Sequence, residues 1–133
     1  ATEEFYFKPE AGRVLASPAD ETDTPPVDAQ PEELDVALAA DRVQQATTLE
    51  VRRITHRWAG LRSFLPDKMP VAGADPAEPS FVWLAGLGGF GIMTSEALGR
   101  AACAAALGAS LPADMAGRGL SVANLSPARL AAG

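Results

Sequence analysis

Residues 83–100, WLAGLGGFGIMTSEALGR, place five glycines where an apolar, strand-like run turns into a helix of small residues. A bare backbone at a helix start has two physical uses. It can bring the helix's unpaired N–H groups and its positive dipole end up to an anion or a polar ring, an approach that side chains would block. It can equally let the helix pack tightly against a strand. The spacing alone weighs the two readings about equally. It does exclude a Walker loop, which needs Gly-Lys-Ser/Thr, and Gly86, Gly88, Gly89 and Gly91 do not fall on a clean G-x-G-x-x-G dinucleotide fingerprint.

The rest of the chain limits what this strand–glycine–helix unit can belong to. The length of 133 residues suits one ordinary domain or a piece of something larger. Prolines, glycines and charges interrupt every apolar run before the roughly 18 residues that a membrane span requires. The opening ATEEFYFKPE has neither the basic start nor the apolar middle of a secretion signal and lacks a Met. We therefore expect a chain cut from a longer precursor, although removal of an initiator Met before Ala would look the same. Cys103, the single cysteine, excludes an internal disulfide, fits a reducing cytoplasm and, among alanines, reads as buried filler.

Charge is unevenly distributed. Residues 1–50 carry twelve acidic and three basic side chains, residues 51–133 five and eight, for a net charge of −6 that argues against a nucleic-acid partner. Arg52, Arg53, Arg57 and Arg62 cluster, but in an extended strand they divide between two faces and make no phosphate-binding stripe. They read as solvated charges on a half-exposed strand. His56 and Trp58 carry no assigned chemistry, and Asp67 and Lys68 read as turn decoration.

The elements can be ordered from their local signals. Residues 5–17 read as two short strands around a glycine-containing turn, with Phe5 and Phe7 on one face. The Pro- and acid-rich residues 17–31 read as an irregular surface crossing. After Pro31, acids in a first turn and apolar residues at helical spacing (Leu34, Ala37, Leu38, Val43, Ala46) predict an amphipathic helix. Residues 50–64 look strand-like, with Gly60 as a bulge or close approach. A short strand is expected at 71–73 and a buried one in FVWLAGL, whose apolar residues do not alternate. A helix follows from Gly91 to Leu107 with Gly108 as its stop, and the remainder is expected to wrap over the surface.

Taken in order, HRWAGLRSFLPDKMPVAG and FVWLAGLGGFGIMTSEALGRAACAAAL resemble the C-terminal part of FAD-dependent amino-acid oxidoreductases of the D-amino-acid oxidase superfamily. Their pattern runs Trp-x-Gly-x-Arg, Pro-Asp, a short strand ending near Gly, then Gly-Gly-x-Gly opening a helix. EFYFKPEAGRVLASPADE and GLSVANLSPARL look most similar to bacterial D-arginine dehydrogenases and their relatives. The likeness covers nearly the whole chain.

The resemblance implies an α+β fold: a C-terminal fragment of a two-domain, FAD- and substrate-binding architecture, with a small, mostly antiparallel sheet and two main helices. Residues 1–60 would be part of the substrate-binding domain and 61–133 the return into the FAD-binding domain. The implied reaction oxidises an amino acid by hydride transfer to FAD, giving an imino acid that hydrolyses to a 2-oxo acid.

Carried over by position, Arg62 matches the arginine that pairs with the substrate carboxylate, Tyr6 an aromatic residue whose hydroxyl lines the substrate pocket, and Gly89 the carbonyl that accepts from the substrate amino group. Gly88, Gly89, Phe90, Gly91, Ile92 and Met93 match the backbone that faces the flavin's pyrimidine edge. No catalytic acid or base and no metal ligand is implied. The family's common Gln-Gly-Gly-Tyr-Gly-Ile-Gln stands here as LGGFGIM, so Leu87, Phe90 and Met93 replace three polar groups. The family's dinucleotide fingerprint has no match in this sequence. The chain is thus expected to be inactive and flavin-free alone, its Rossmann-bearing part lying in cis or on a separate chain as in a split flavoenzyme. A homodimer could cover the surface that part would occupy, and a non-catalytic interaction module is the rival from another class.

Overall fold

The computed structural model describes residues 5–132, so Ala1–Glu4, which open the sequence, lie outside the described residues. The chain divides into two compact units, Ala1–Leu61 and Arg62–Gly133.

The first unit begins with a hairpin, β1 (Tyr6–Glu10) and β2 (Arg13–Ser17), antiparallel with Tyr6 opposite Ser17 and Glu10 opposite Arg13. Its two-residue turn puts both Ala11 (φ 47°) and Gly12 (φ 76°) in the left-handed region, the twist that matches two right-twisted strands. Phe5 and Phe7 stack with ring centroids 6.2 Å apart, as period-two alternation predicts. Residues 18–32 form no regular element. Helix α1 (Glu33–Ala46) follows, its first turn carrying Glu33 and Asp35 where acids favour the dipole, and Ala39 and Val43, four apart, form its buried stripe. The Thr47 hydroxyl donates to the Val43 carbonyl at 2.7 Å and marks its end.

Residues 51–65 contain no strand, which corrects the extended element expected there. Alternating side chains allow an extended chain, but a strand exists only when its backbone finds a ladder partner, and none forms among the described residues. The charges instead pair locally or with α1: Arg52 with Glu50 at 2.8 Å, and Arg57 with Glu33. Gly60 makes no close approach, since a Cβ there would meet nothing within 4 Å.

The second unit is built on β3 (Val71–Ala74) and β4 (Val82–Ala85), antiparallel with Val71 opposite Ala85 and Ala74 opposite Val82. Between them, Asp75 Oδ1 accepts the amides of Ala77 and Glu78, and Asp75 Oδ2 accepts Trp83 Nε1–H at 2.8 Å. A 3₁₀ turn (Gly88–Phe90) leads into α2 (Gly91–Ala106). This helix ends as Gly108 predicts: with φ 63°, Gly108 donates to the Ala105 carbonyl and Ala109 to that of Ala104. Two further short helices, α3 (Ala113–Ala116) and α4 (Val122–Leu125), complete the unit. The second is capped reciprocally by Ser121 and Asn124.

The core is Ala72 of β3, Leu98 and Ala101 of α2, Met115 of α3 and Leu125 of α4. The C-terminal segment therefore supplies core side chains rather than merely wrapping the surface. Arg100 on α2 grips Asp114 on α3 with two hydrogen bonds of 3.0 and 2.6 Å, holding that segment down. Two other expectations change. Cys103 is exposed, because the buried stripe of α2 runs through Leu98 and Ala101 and turns Cys103 away. β4 is not buried: its one strand neighbour is β3, and Trp83 and Leu84 stay 40% and 45% exposed. The α+β class holds, with two separate two-stranded antiparallel sheets and two main helices. Among the described residues no helix is long and apolar enough to cross a membrane.

Candidate functional site

The glycine stretch and the Arg62 segment lie against each other, and the contacts run pairwise in opposite directions. A Cβ built on Gly86 would sit 2.5 Å from Leu65 Cγ, one on Gly88 2.7 Å from Phe64 Cε1, and one on Gly89 2.7 Å from Arg62 Nη1. Real Cβ atoms do not come so close, so each glycine is there because a side chain of residues 62–65 occupies its missing methyl's place. The Gly88 amide donates to the Ser63 carbonyl at 3.1 Å and fixes the register. Gly86 (φ 69°) and Gly88 (φ 53°) also need the left-handed backbone that glycine adopts without strain. At these two positions the glycines make room for packing, but against an irregular segment rather than the strand expected.

Gly89 differs in what lies over it. Its neighbour is the charged end of a side chain, so the bare backbone brings the Arg62 guanidinium onto the loop. Phe64 supports the same group: the Arg62 guanidinium carbon stands 5.4 Å from its ring centroid, and Lys68 Nζ stands 6.0 Å from that centroid. Such contacts favour a cation over a π face. Phe64 and Ser63 thus belong to the site, although neither is singled out by sequence reasoning. The signal available was their position directly after Arg62 in WAGLRSFL.

Beyond Gly89 the loop opens. Phe90 at the start of α2 makes no side-chain cap, and Ile92 and Met93 in the first turn are 96% and 78% exposed. The start of α2 is therefore uncapped by any side chain, while the Gly88 amide is taken by the Ser63 carbonyl and the Phe90 amide donates to the Leu87 carbonyl at 3.1 Å. Tyr6 stands on β1 of the first unit, 56% exposed.

Asp67 does more than decorate a turn. Its carboxylate accepts Arg129 Nε at 2.6 Å and Nη2 at 3.3 Å, and it also takes the Met69 amide. The Arg129 guanidinium first, and that amide second, hold its pKa below the ordinary 3.8. Elsewhere in the unit an apolar hollow of about 470 Å³ is lined by Met69, Met115 and Leu120, and its Asn124 is engaged in capping α4. Among the described residues no group of His, Cys, Asp or Glu side chains could hold a metal ion.

The Arg62 guanidinium, the Gly86–Gly89 loop and the start of α2 thus lie together in one part of the second unit. Residues 1–105 match the family described as FAD dependent oxidoreductase (DAO). The chain belongs to that family.

Proposed function

We propose that this chain carries the substrate-carboxylate grip and the flavin-edge loop of an enzyme that oxidises an amino acid, as in the bacterial D-arginine dehydrogenases that its motifs resemble. The single observation that carries the reading is the Arg62 guanidinium held on Gly89, with Nη1 2.7 Å from where a methyl would be. One residue supplies a planar, two-point partner for a carboxylate, and the other a carbonyl for the amino group. The two handles of an amino acid are thereby recognised at adjacent positions.

Of the backbone from Gly88 to Met93, the exposed start of α2 at Gly91 to Met93 would hold the cofactor's pyrimidine edge, since the Gly88 and Phe90 amides are committed to Ser63 and Leu87. FAD, when bound, supplies the acceptor for the hydride that leaves the substrate Cα. The amine nitrogen gives up a proton to water, and the resulting imino acid hydrolyses to a 2-oxo acid and ammonia. Arg62 orients the substrate by its carboxylate so that the Cα–H bond has one direction. The fixed N–H dipoles at the start of α2 favour a ring edge richer in negative charge. No side chain of this chain needs to act as a base if the amine arrives neutral. The sequence lacks the G-x-G-x-x-G fingerprint, so the adenine half of the cofactor is assigned to other residues, in cis or on a separate chain, and the present chain alone is expected to be inactive.

The test is Arg62→Met in the complete flavin-loaded enzyme, with the residues that hold the adenine half present. Loss of two charge-assisted hydrogen bonds is expected to raise KM for amino-acid substrates on the order of 100-fold. An unchanged KM would remove Arg62 from the carboxylate and overturn the reading.

A further inference from the structure

Residues 106–133 lie beyond the part of the chain that matches the family, and one of them reaches back to the segment that bears Arg62. Arg129, on the C-terminal 3₁₀ turn Pro127–Ala132, donates from Nε to Asp67 Oδ2 at 2.6 Å and from Nη2 to the Met69 carbonyl at 2.6 Å. Its Nη1 donates to the Ser126 carbonyl at 3.1 Å. The side chain is 17% exposed, the most sheltered ion-pair partner among the described pairs.

What it grips is the irregular segment that leads from Arg62 into β3. The stretch from Arg62 to Pro70 has no strand ladder. At its first end the register rests on the Gly88 amide bonded to Ser63 and on side chains set into three glycine gaps. At its second end, the turn closed by the Lys68 amide on the Leu65 carbonyl is clasped by Arg129 through both Asp67 and Met69. Between Arg62 and the start of β3 at Val71 the backbone has no ladder bonds, so its path can shift locally unless the turn at Asp67 is held, and such a shift would carry the Arg62 guanidinium off Gly89. Misplacement by about 1 Å is enough to cost a two-point contact much of its effect.

We infer that Arg129 is a positioning residue for substrate recognition: by clasping Asp67 and Met69, it sets the register of Arg62–Leu65 on Gly86–Gly89 and so the place of the Arg62 guanidinium. The inference rests on the proposed role of Arg62 for its effect on substrate, but not for its effect on register.

The experiment compares Arg129→Met and Arg129→Lys with wild type in the complete flavin-loaded enzyme, by amide hydrogen exchange and steady-state kinetics. In Arg129→Met the Gly88 amide is expected to exchange on the order of 10-fold faster while the β3–β4 ladder amides keep their protection. KM for the amino acid is expected to rise on the order of 10-fold with kcat little changed. Arg129→Lys, which keeps the charge but not the fork, should fall between. Faster exchange throughout β3 and β4, with kcat and KM both altered, would make Arg129 a general stabiliser and overturn the inference, as would an unchanged Gly88 amide. If Arg62→Met leaves KM unaltered, the substrate reading fails separately, and selective loss of Gly88 protection still decides the register claim.

Discussion

The Arg62 guanidinium lies across Gly89 so closely that a methyl on that glycine would stand 2.7 Å from Nη1. This relationship separates the two uses of a bare backbone within one short loop. Gly86 and Gly88 make room for the apolar side chains of Leu65 and Phe64, which lock the loop to its neighbouring segment. Gly89 makes room for a charge. The packing at Gly86 and Gly88 is what gives the guanidinium over Gly89 its place.

Replacing Gly89 with Ala is expected to separate function from stability. The displaced atom is the far end of a flexible side chain, so the fold can absorb the methyl by moving the guanidinium. Thermal stability should change little, whereas KM for an amino acid should rise on the order of 10-fold as Arg62 leaves its position. Unfolding curves and kinetics on one preparation test this, and an unaltered KM would show that the guanidinium's place over Gly89 is unimportant.

Gly88→Ala should do the reverse in kind. The added methyl meets the Phe64 ring at 2.7 Å, and the backbone at φ 53° is one that alanine adopts poorly. Left-handed strain and overpacking together should destabilise the unit by about 2–4 kcal/mol. Denaturant unfolding measures it. A loss under 1 kcal/mol would mean that Phe64 yields freely and does not lock the loop.

Legibility in the sequence followed the range of the interaction. The hairpin at Ala11–Gly12, the first turn of α1 and the Gly108 stop of α2 are written within a few residues, and each was readable. Residues 50–64 mislead because their alternation fits any extended chain, while a strand depends on a partner elsewhere. A resemblance points to Arg62 and Gly89, but no spacing announces their contact across 27 positions. Arg129 and Asp67 meet across 62 positions with no local pattern to announce it. Met115 and Leu125 lie among glycines and turn residues, which concealed their place in the core.

Gly99 offers a neutral site by contrast. It sits in the middle of α2, and a Cβ there would meet nothing within 4 Å. Gly99→Ala reduces the freedom of the unfolded chain and raises helix propensity, so it should stabilise by about 0.5–1 kcal/mol. KM should be unchanged. A fall in melting temperature would show that this face of α2 is covered in the working protein.

Asp75 gives the β3–β4 hairpin a pH dependence whose sign follows from its partners. Trp83 Nε1–H, and then the Ala77 and Glu78 amides, hold its pKa below the ordinary 3.8. A carboxylate lowered on folding contributes stability that is fully present above its unfolded value and is lost as pH falls through the folded value. Trp83 reports the event, since protonation weakens the bond to its indole. In a Trp58→Phe background, Trp83 emission should be flat above about pH 5 and change only in the range below 3.8. Asp67, also lowered, titrates in the same region, so Asp75→Asn serves as the control and should abolish the change. A transition centred above 3.8, or one that survives in Asp75→Asn, would show that another carboxylate governs the hairpin.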